Sequence, residues 1–525
     1  MNLIHILQSQ AQSHPTQPAI IDVYRRRRRI TTFAELEQQS AQIAALLHYS
    51  GLRPGDSVLV LLPMSAELYV ALGAIFRLGL VAMFLDPGQG RAHIEACCAL
   101  HPPQAFIAGS KAHLLRLVSP ALRRISRKFV VGLPVPGATS WQQAAPLPSH
   151  SDVFAAADDT PALLTFTSGS TGQPKAALRT HGFLLAQHRV LADSLQLTAG
   201  QIDLSTMPIV ALANMASGVT SLIPKADLRY PGRIDPAPVI AQMQAEQVDS
   251  TVASPALLGR LADYGSSQQI HLPGLKKIFT GGAPVFPNLL DRLRQLAPNA
   301  DVVAVYGSTE AEPMAKIRVA ALSPDDRHAM QTGCGLLAGL PVEAIQLRIL
   351  PDRWGKPIGP YTRAEFAAEW CATGEFGEIV VSGDHVLTSY LHGQGDTETK
   401  FHVDNTIWHR TGDAGYLDAH GRLWLLGRCA ARIDDEYGQL YPFTVECAVS
   451  SEPDIQRGAV VAHQKRRILL IECTQPVNAA RLAELKQNLQ WAAIEDIRIV
   501  KNLPLDKRHN AKIDYPALQR QIATK

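Results

Sequence analysis

Leu163-Leu164-Thr165-Phe166-Thr167-Ser168-Gly169-Ser170-Thr171-Gly172-Gln173-Pro174-Lys175 is the stretch on which the reading of this chain turns. Leu163–Phe166 is an apolar run of strand character, and a loop of hydroxyls and glycines follows it. Two glycines let the backbone come close to a ligand. The hydroxyls of Thr167, Ser168, Ser170 and Thr171, with a row of N–H groups, supply donors, and Lys175 adds a positive charge. A strand feeding such a loop predicts a cradle for a polyphosphate. It is not the common P-loop, because Pro174 precedes the lysine and Ala176 stands where that motif needs Ser or Thr. A plain flexible turn would share the composition but would not account for the strand in front of it.

Outward from this loop, runs rich in Val, Ile and Leu alternate with helical patterns: Val58–Leu62, Ala105–Ala108, Phe129–Val131, Ser250–Ala253, Lys277–Phe279 and Val302–Val305. This alternation predicts an α/β fold of largely parallel sheets with helices on both faces. From about Val342 the pattern changes, and Ile345–Ile349, Glu378–Val381 and Leu423–Leu426 read as antiparallel, turn-linked strands. The remainder after Gly427-Arg428 has strands of its own at Gly458–Ala462, Ile468–Cys473 and Ile497–Val500 and a helix from about Ala479 to Leu489. These fit a small α+β domain. The expected division is therefore residues 1–427 and 428–525. The 525-residue length fits at least two domains.

Four further strings occur in order. Gly281-Gly282-Ala283-Pro284 follows one strand, and Tyr306-Gly307-Ser308-Thr309-Glu310 follows the next. Thr411-Gly412-Asp413 and Gly427-Arg428 come after them. Each string is weak alone. Together with the Thr167–Lys175 loop they resemble the motif series of the superfamily of acyl-CoA synthetases, peptide-synthetase adenylation domains and firefly luciferase. The resemblance runs across essentially the whole chain. It implies a large N-terminal domain of parallel-sheet subdomains plus a distorted antiparallel barrel, and a small mobile C-terminal domain. It also implies ATP-dependent activation of a small-molecule carboxylic acid as an acyl-AMP. Thr167 to Gly172 and Lys175 would then hold phosphates, and Gly282, Ala283 and Pro284 the adenine edge. Tyr306 would stack on the base, while Asp413 and Arg428 reach the ribose. Thr309 would donate to the α-phosphate, and Glu310, with Thr171, would hold Mg²⁺. Lys512, in Leu503-Pro504-Leu505-Asp506-Lys507-Arg508-His509-Asn510-Ala511-Lys512, matches the invariant lysine of the superfamily's terminal loop. A cation on a mobile domain suits a step whose transition state gathers negative charge.

The departures are informative. The terminal loop reads Arg-His-Asn-Ala-Lys instead of Ser-Gly-Lys, and Ala430 occupies the hinge position usually held by Asp or Lys. In the acid-pocket region Ser205–Gly218, Val210-Ala211 replaces an aromatic–His pair. That leaves either an apolar wall for an alkyl chain or a plain core helix. The terminal Arg-His-Asn-Ala-Lys, the stretch Arg432–Pro442 and the stretch Tyr306–Pro313 resemble the β-lactone synthetases of bacterial long-chain olefin biosynthesis and their relatives labelled fatty-acid CoA ligases. In that branch the substrate's β-hydroxyl attacks its own acyl-adenylate, an intramolecular step with high effective concentration. Three functions follow as expectations: a fatty-acid ligase delivering to CoA or an acyl carrier protein, a β-lactone synthetase needing neither, and a catalytically silent nucleotide- or acyl-binding homologue.

Net charge is +3, which gives no electrostatic case for nucleic acid. The seven cysteines include no CxxC pair and fit a reduced, cytoplasmic setting. The apolar region Val58–Leu85 is interrupted by Pro63, Glu67, Gly73 and Arg77 and reads as a strand, a turn and a core helix. The run Arg25–Arg29 reads as a solvated hairpin tip, with contact to anionic lipid headgroups or another polyanion as the functional alternative.

Overall fold

The computed structural model describes residues 1–168, 174–505 and 512–523. The chain divides into two units. The first comprises Met1–Ala226, Ala241–Val252 and Asp384–Asp396, and the second the rest.

The first unit contains a seven-stranded sheet in the order Thr139–Ser140, Arg127–Val131, Ala105–Gly109, Ser57–Leu61, Val81–Phe84, Pro161–Ser168 and Pro174–Thr180. All neighbours are parallel except the last pair, which the Thr167–Lys175 loop joins as a hairpin. The central strand Ser57–Leu61 is buried at every residue. Burial on both faces explains its unbroken apolar run, because helices cover both sides of a parallel sheet. A second group of strands orders as Ser250–Ala253, Ile202–Ser205, Thr220–Leu222, Pro18–Tyr24 and Arg27–Thr32, of which the last alone runs antiparallel to its neighbour. Apolar faces of the helices Ile4–Ser13, Phe33–Tyr49, Ala66–Arg77 and Pro208–Ala216 supply the main core of this unit.

In the second unit Lys277–Gly281 and Asp301–Ser308 are parallel. From there the sheet becomes antiparallel through Ala311–Arg318, Leu336–Pro341, Leu423–Arg428, Thr406–Leu417, Gly377–Ser382 and Gln346–Leu350. The switch from parallel to antiparallel is as expected, but the distorted barrel is not. Among the described residues the sheet is an open path. Leu336–Pro341 pairs back onto Ala311–Arg318, and no strand closes on the outer edge of Gln346–Leu350.

The C-terminal portion has its own cores, centred on Val445, Leu469 and Leu485 and on Val461, Ile468 and Leu518. Its strands Ile455–His463, Arg466–Cys473 and Asp496–Ile499 form a separate three-stranded sheet. The buried Arg467 fastens the hairpin Ile433–Asp435/Gly438–Leu440 to this sheet. It donates to Asp435 Oδ2 at 2.8 Å, to Gly438 O at 2.6 Å and to Ala492 O at 2.9 Å. All seven cysteines are free thiols. No helix of the described residues is long and apolar enough to cross a membrane.

Candidate active site

The sheet of the second unit places the nucleotide-facing candidates together. Tyr306 lies near the end of Asp301–Ser308, and strand register sets Asp413 opposite Arg428. The Tyr306 hydroxyl donates to Asp413 Oδ2 at 2.7 Å, and Arg428 Nε lies 3.2 Å from Oδ1. Burial, followed by the Asp413 charge, raises the Tyr306 phenol well above its usual range, so it donates as a neutral hydroxyl. The same carboxylate is the first cause of the raised Arg428 value. A carboxylate offers about four acceptor positions, so these two donors leave capacity for a vicinal diol. Asp413 N–H donates to Thr411 Oγ1 at 3.0 Å, and Arg428 Nη1 donates to Thr411 O at 3.2 Å, which fixes the turn. The Gly281–Pro284 turn follows the strand beside Tyr306's own, since Gly281 pairs with Val305.

Glu310 N–H donates to Ser308 Oγ at 3.2 Å, and Thr309 precedes it in the same turn. The Glu310 charge acts on His409, which burial first and Lys400 second push down to about 3, so that imidazole is neutral. No group of three His, Cys, Asp or Glu side chains gathers to hold a metal among the described residues. A lone carboxylate still fits Mg²⁺ that arrives on phosphates, because that ion takes most of its shell from water and phosphate oxygens.

The phosphate-facing candidates lie in the first unit. Lys175 pairs with Thr167 across the hairpin, and Ser168 with Pro174. Lys175 Nζ sits 5.8 Å from the Tyr390 ring centroid. Gly395, with φ +100°, lets the lysine pass, since a Cβ there would be 2.6 Å from Nζ. Gly169, Ser170, Thr171 and Gly172 lie outside the described residues.

Helix Pro208–Ala216 turns one face inward, where Asn214 donates to Asp203 at 3.0 Å and to Ser221 at 3.2 Å. Its other face lines an apolar cavity of about 80 Å³ with Leu7, Tyr69, Phe76, Leu191, Leu212 and Ala216. The helix is therefore both things the sequence left open, a core element and the wall of an apolar space.

Lys512 is half-buried beside a neck formed by the Leu505–Ile513 bridge and the Asp514 N–H to Pro504 O bond of 2.9 Å. Three residues on, the Tyr515 hydroxyl donates to Glu446, whose carboxyl burial pushes up to about 7. The sequence motifs Arg-His-Asn-Ala at 508–511 are outside the described residues.

Residues 7–391 match the family described as AMP-binding enzyme. The chain belongs to that family. Within it, the chain is 32% identical over 510 residues to an olefin β-lactone synthetase of Xanthomonas campestris pv. campestris, covering 92% of this chain and 89% of the relative. A second olefin β-lactone synthetase, from Stenotrophomonas maltophilia, is 31% identical with the same coverages. An anthranilate CoA ligase in complex with anthranoyl-AMP superposes with a TM-score of 0.83 at 18% identity, over 100% of this chain and 98% of the other, and so shares the fold. The protein is thus an AMP-binding, adenylate-forming ligase, and its family implies ATP as the nucleotide.

One cluster in this AMP-binding enzyme escaped the sequence reading. The Asp352 side chain is nearly buried and accepts from Trp354 N–H at 3.0 Å and from the Tyr441 hydroxyl at 2.8 Å, with Arg432 Nη1 2.7 Å away. Trp354 in turn supports the Thr411–Asp413 turn. Gly412 has φ +68° and approaches the indole so closely that a Cβ would be 2.8 Å from it. A chain of contacts thus runs from the Asp413 turn to the segment beyond Arg428. No short string signals it, because its parts are 80 and 89 residues apart.

Proposed function

We propose that this enzyme converts a β-hydroxy fatty acid and ATP into a β-lactone, AMP and pyrophosphate. In the first step a carboxylate oxygen of the acid bonds to the α-phosphorus. The bond from that phosphorus to the bridging oxygen breaks, and pyrophosphate leaves with the electron pair. In the second step the substrate's own β-hydroxyl oxygen bonds to the acyl carbon and gives its proton to solvent. AMP leaves with the electrons of the acyl–oxygen bond. The first half is supported by the Tyr306–Asp413–Arg428 arrangement, which presents a fixed carboxylate to a ribose. The observation that carries the second half is the likeness to olefin β-lactone synthetases across nearly the whole chain.

Residue roles follow from chemistry. Asp413 and Arg428 orient the sugar, Tyr306 holds Asp413 and faces the base, and Thr309 donates to the α-phosphate. Lys175 and the loop before it bind the outgoing phosphates. Glu310 would hold Mg²⁺, which when bound offsets phosphate charge. Lys512 stabilises negative charge between nucleophile and phosphorus, from a C-terminal domain beginning at Arg428 that rotates after adenylation. The apolar cavity beside Leu212 and Ala216 supports an alkyl-chain substrate.

The test is pyrophosphate release from ATP and Mg²⁺ across fatty and β-hydroxy fatty acids, with and without CoA, with products identified by mass. The expected result is CoA-independent turnover of β-hydroxy acids to a product lighter than the acid by one water. A thioester formed only with CoA would replace the lactone step by transfer to a thiol. Nucleotide binding without pyrophosphate from any acid would identify a silent homologue and overturn the adenylation reading.

A further inference from the structure

The proposed function leaves the arginine run Arg25–Arg29 unexplained, and the structure divides it into two parts. Arg28 and Arg29 are consumed at the base of the hairpin Pro18–Tyr24/Arg27–Thr32. Arg28 Nη2 donates to Glu246 Oε2 at 2.7 Å. Arg29 Nε donates to Asp22 Oδ1 at 2.7 Å, and its Nη2 to Glu67 Oε2 at 2.9 Å. These pairs join the hairpin to helix Ala66–Arg77 and to the turn that follows Ala245, within its own unit, and set its direction. Arg25, Arg26 and Arg27 are exposed at the tip, and none of them forms an ion pair among the described residues. Counting the five guanidinium groups against Asp22, Glu67 and Glu246 leaves a net charge of +2 (five minus three), with the surplus gathered at the outermost point.

Two more observations give this tip a chemical character. Arg25 and Arg26 form the turn with φ 48° and 68°. Asn and Gly occupy that conformation at lower cost, so the local turn preference does not select arginine here. Beside them Tyr24 is 39% exposed, with Arg25 and Arg29 stacked 5.3 and 4.7 Å from its ring centroid. Ile30, on the other face of the hairpin, is 40% exposed. Cations at the apex with an aromatic and an aliphatic side chain just behind them are the composition of an interfacial anchor.

We propose that the Tyr24–Ile30 hairpin tip docks the enzyme on an anionic lipid surface. A convex tip with three cations and no groove suits a plane of mobile anions, which rearranges around it, better than a folded acidic partner with fixed charges. The choice of lipid also rests on the proposed function, because a hydroxy fatty acid partitions into membranes. The contact is peripheral and reversible, since so few cations and two apolar side chains give only modest affinity.

The experiment is co-sedimentation of the full chain with neutral phosphatidylcholine vesicles and with vesicles in which about a third of the lipid is phosphatidylglycerol. The comparison protein carries Arg25→Asn, Arg26→Gly and Arg27→Gln, residues chosen to suit the turn. The wild type should bind the anionic vesicles and not the neutral ones. The variant's partition coefficient should fall about 100-fold. Equal binding to both vesicle types, or undiminished binding of the variant, would overturn the docking proposal. Binding to polyglutamate without binding to vesicles would reassign the tip to an acidic protein and also overturn it. Turnover of a water-soluble β-hydroxy acid is read in parallel and should be the same in both proteins. A chain that docks yet turns over no acid would defeat the functional reading and leave the docking intact.

Discussion

Replacing Asp352 by Ala tests whether the Asp413 turn and the segment beyond Arg428 are held in one arrangement by a single carboxylate. The loss strands three donors, Trp354 N–H, the Tyr441 hydroxyl and Arg432, of which the two side chains set the magnitude. Tyr441 is 5% exposed, and its hydroxyl would have no acceptor, at a cost of about 1–3 kcal/mol. Arg432 is 24% exposed and keeps Asp434 at 2.9 Å, so the usual cost of breaking a buried pair is reduced to about 1–2 kcal/mol. Together the clasp is worth about 3 kcal/mol, enough to shift a two-state arrangement by a factor on the order of 100. If the proposed rotation alternates between adenylation and onward conversion, the half-reaction that uses the clasped arrangement should slow and the other should not. The assay measures isotope exchange between pyrophosphate and ATP, and separately the disappearance of supplied acyl-AMP. The ratio of the two rates should change by at least about 10-fold. Asp352→Asn retains an acceptor for Tyr441 and should fall between Ala and wild type. Equal losses in both half-reactions would show Asp352 to be merely structural, and no change in either would refute the clasp.

Gly395→Ala should raise KM for ATP by about 10-fold, because its Cβ would displace Lys175 and its φ of +100° disfavours alanine. Unaltered ATP saturation kinetics would remove Lys175 from the phosphate site. Lys512→Ala should abolish acyl-AMP formation while leaving conversion of supplied acyl-AMP largely intact, and equal loss of both would refute its role. Glu446 has a folded pKa raised to about 7, so stability present below the unfolded value near 4.5 is lost as pH rises through 7. Glu446→Gln should flatten the thermal melting temperature across that window, whereas a profile as steep as the wild type's would contradict it. Ala216→Phe, which fills the apolar cavity, should shift preference toward shorter acids without reducing pyrophosphate release on the shortest ones. An unchanged chain-length profile would separate the cavity from the substrate.

What could be read from the sequence depended on how far apart the cooperating residues lie. Val58–Leu62 was legible as a strand, observed at Ser57–Leu61, because burial on both faces leaves an unbroken apolar run that needs no partner to be recognised. Tyr306, Asp413 and Arg428 were legible because each sits in a short string at a strand end. The bonds among them, Tyr306 to Asp413 above all, come from pairing across 107 residues and were not. The barrel failed for the same reason. Alternation within Ile345–Ile349 and Glu378–Val381 reports antiparallel strands, but closure depends on which edges meet. The arginine run looked uniform in sequence, yet Arg28 and Arg29 find Glu246 and Glu67 at separations of 218 and 38 residues, while the other three form no ion pair among the described residues. On the proposed residue roles, the chemistry is written in contiguous strings, because loops at strand ends would present several groups to one ligand. On the proposed clasp, control of that chemistry is carried by distant pairs such as Asp352 with Tyr441. Substitutions in the strings should then remove a step outright, while substitutions in the pairs should alter the balance between steps, which is the contrast that Lys512→Ala and Asp352→Ala set against each other.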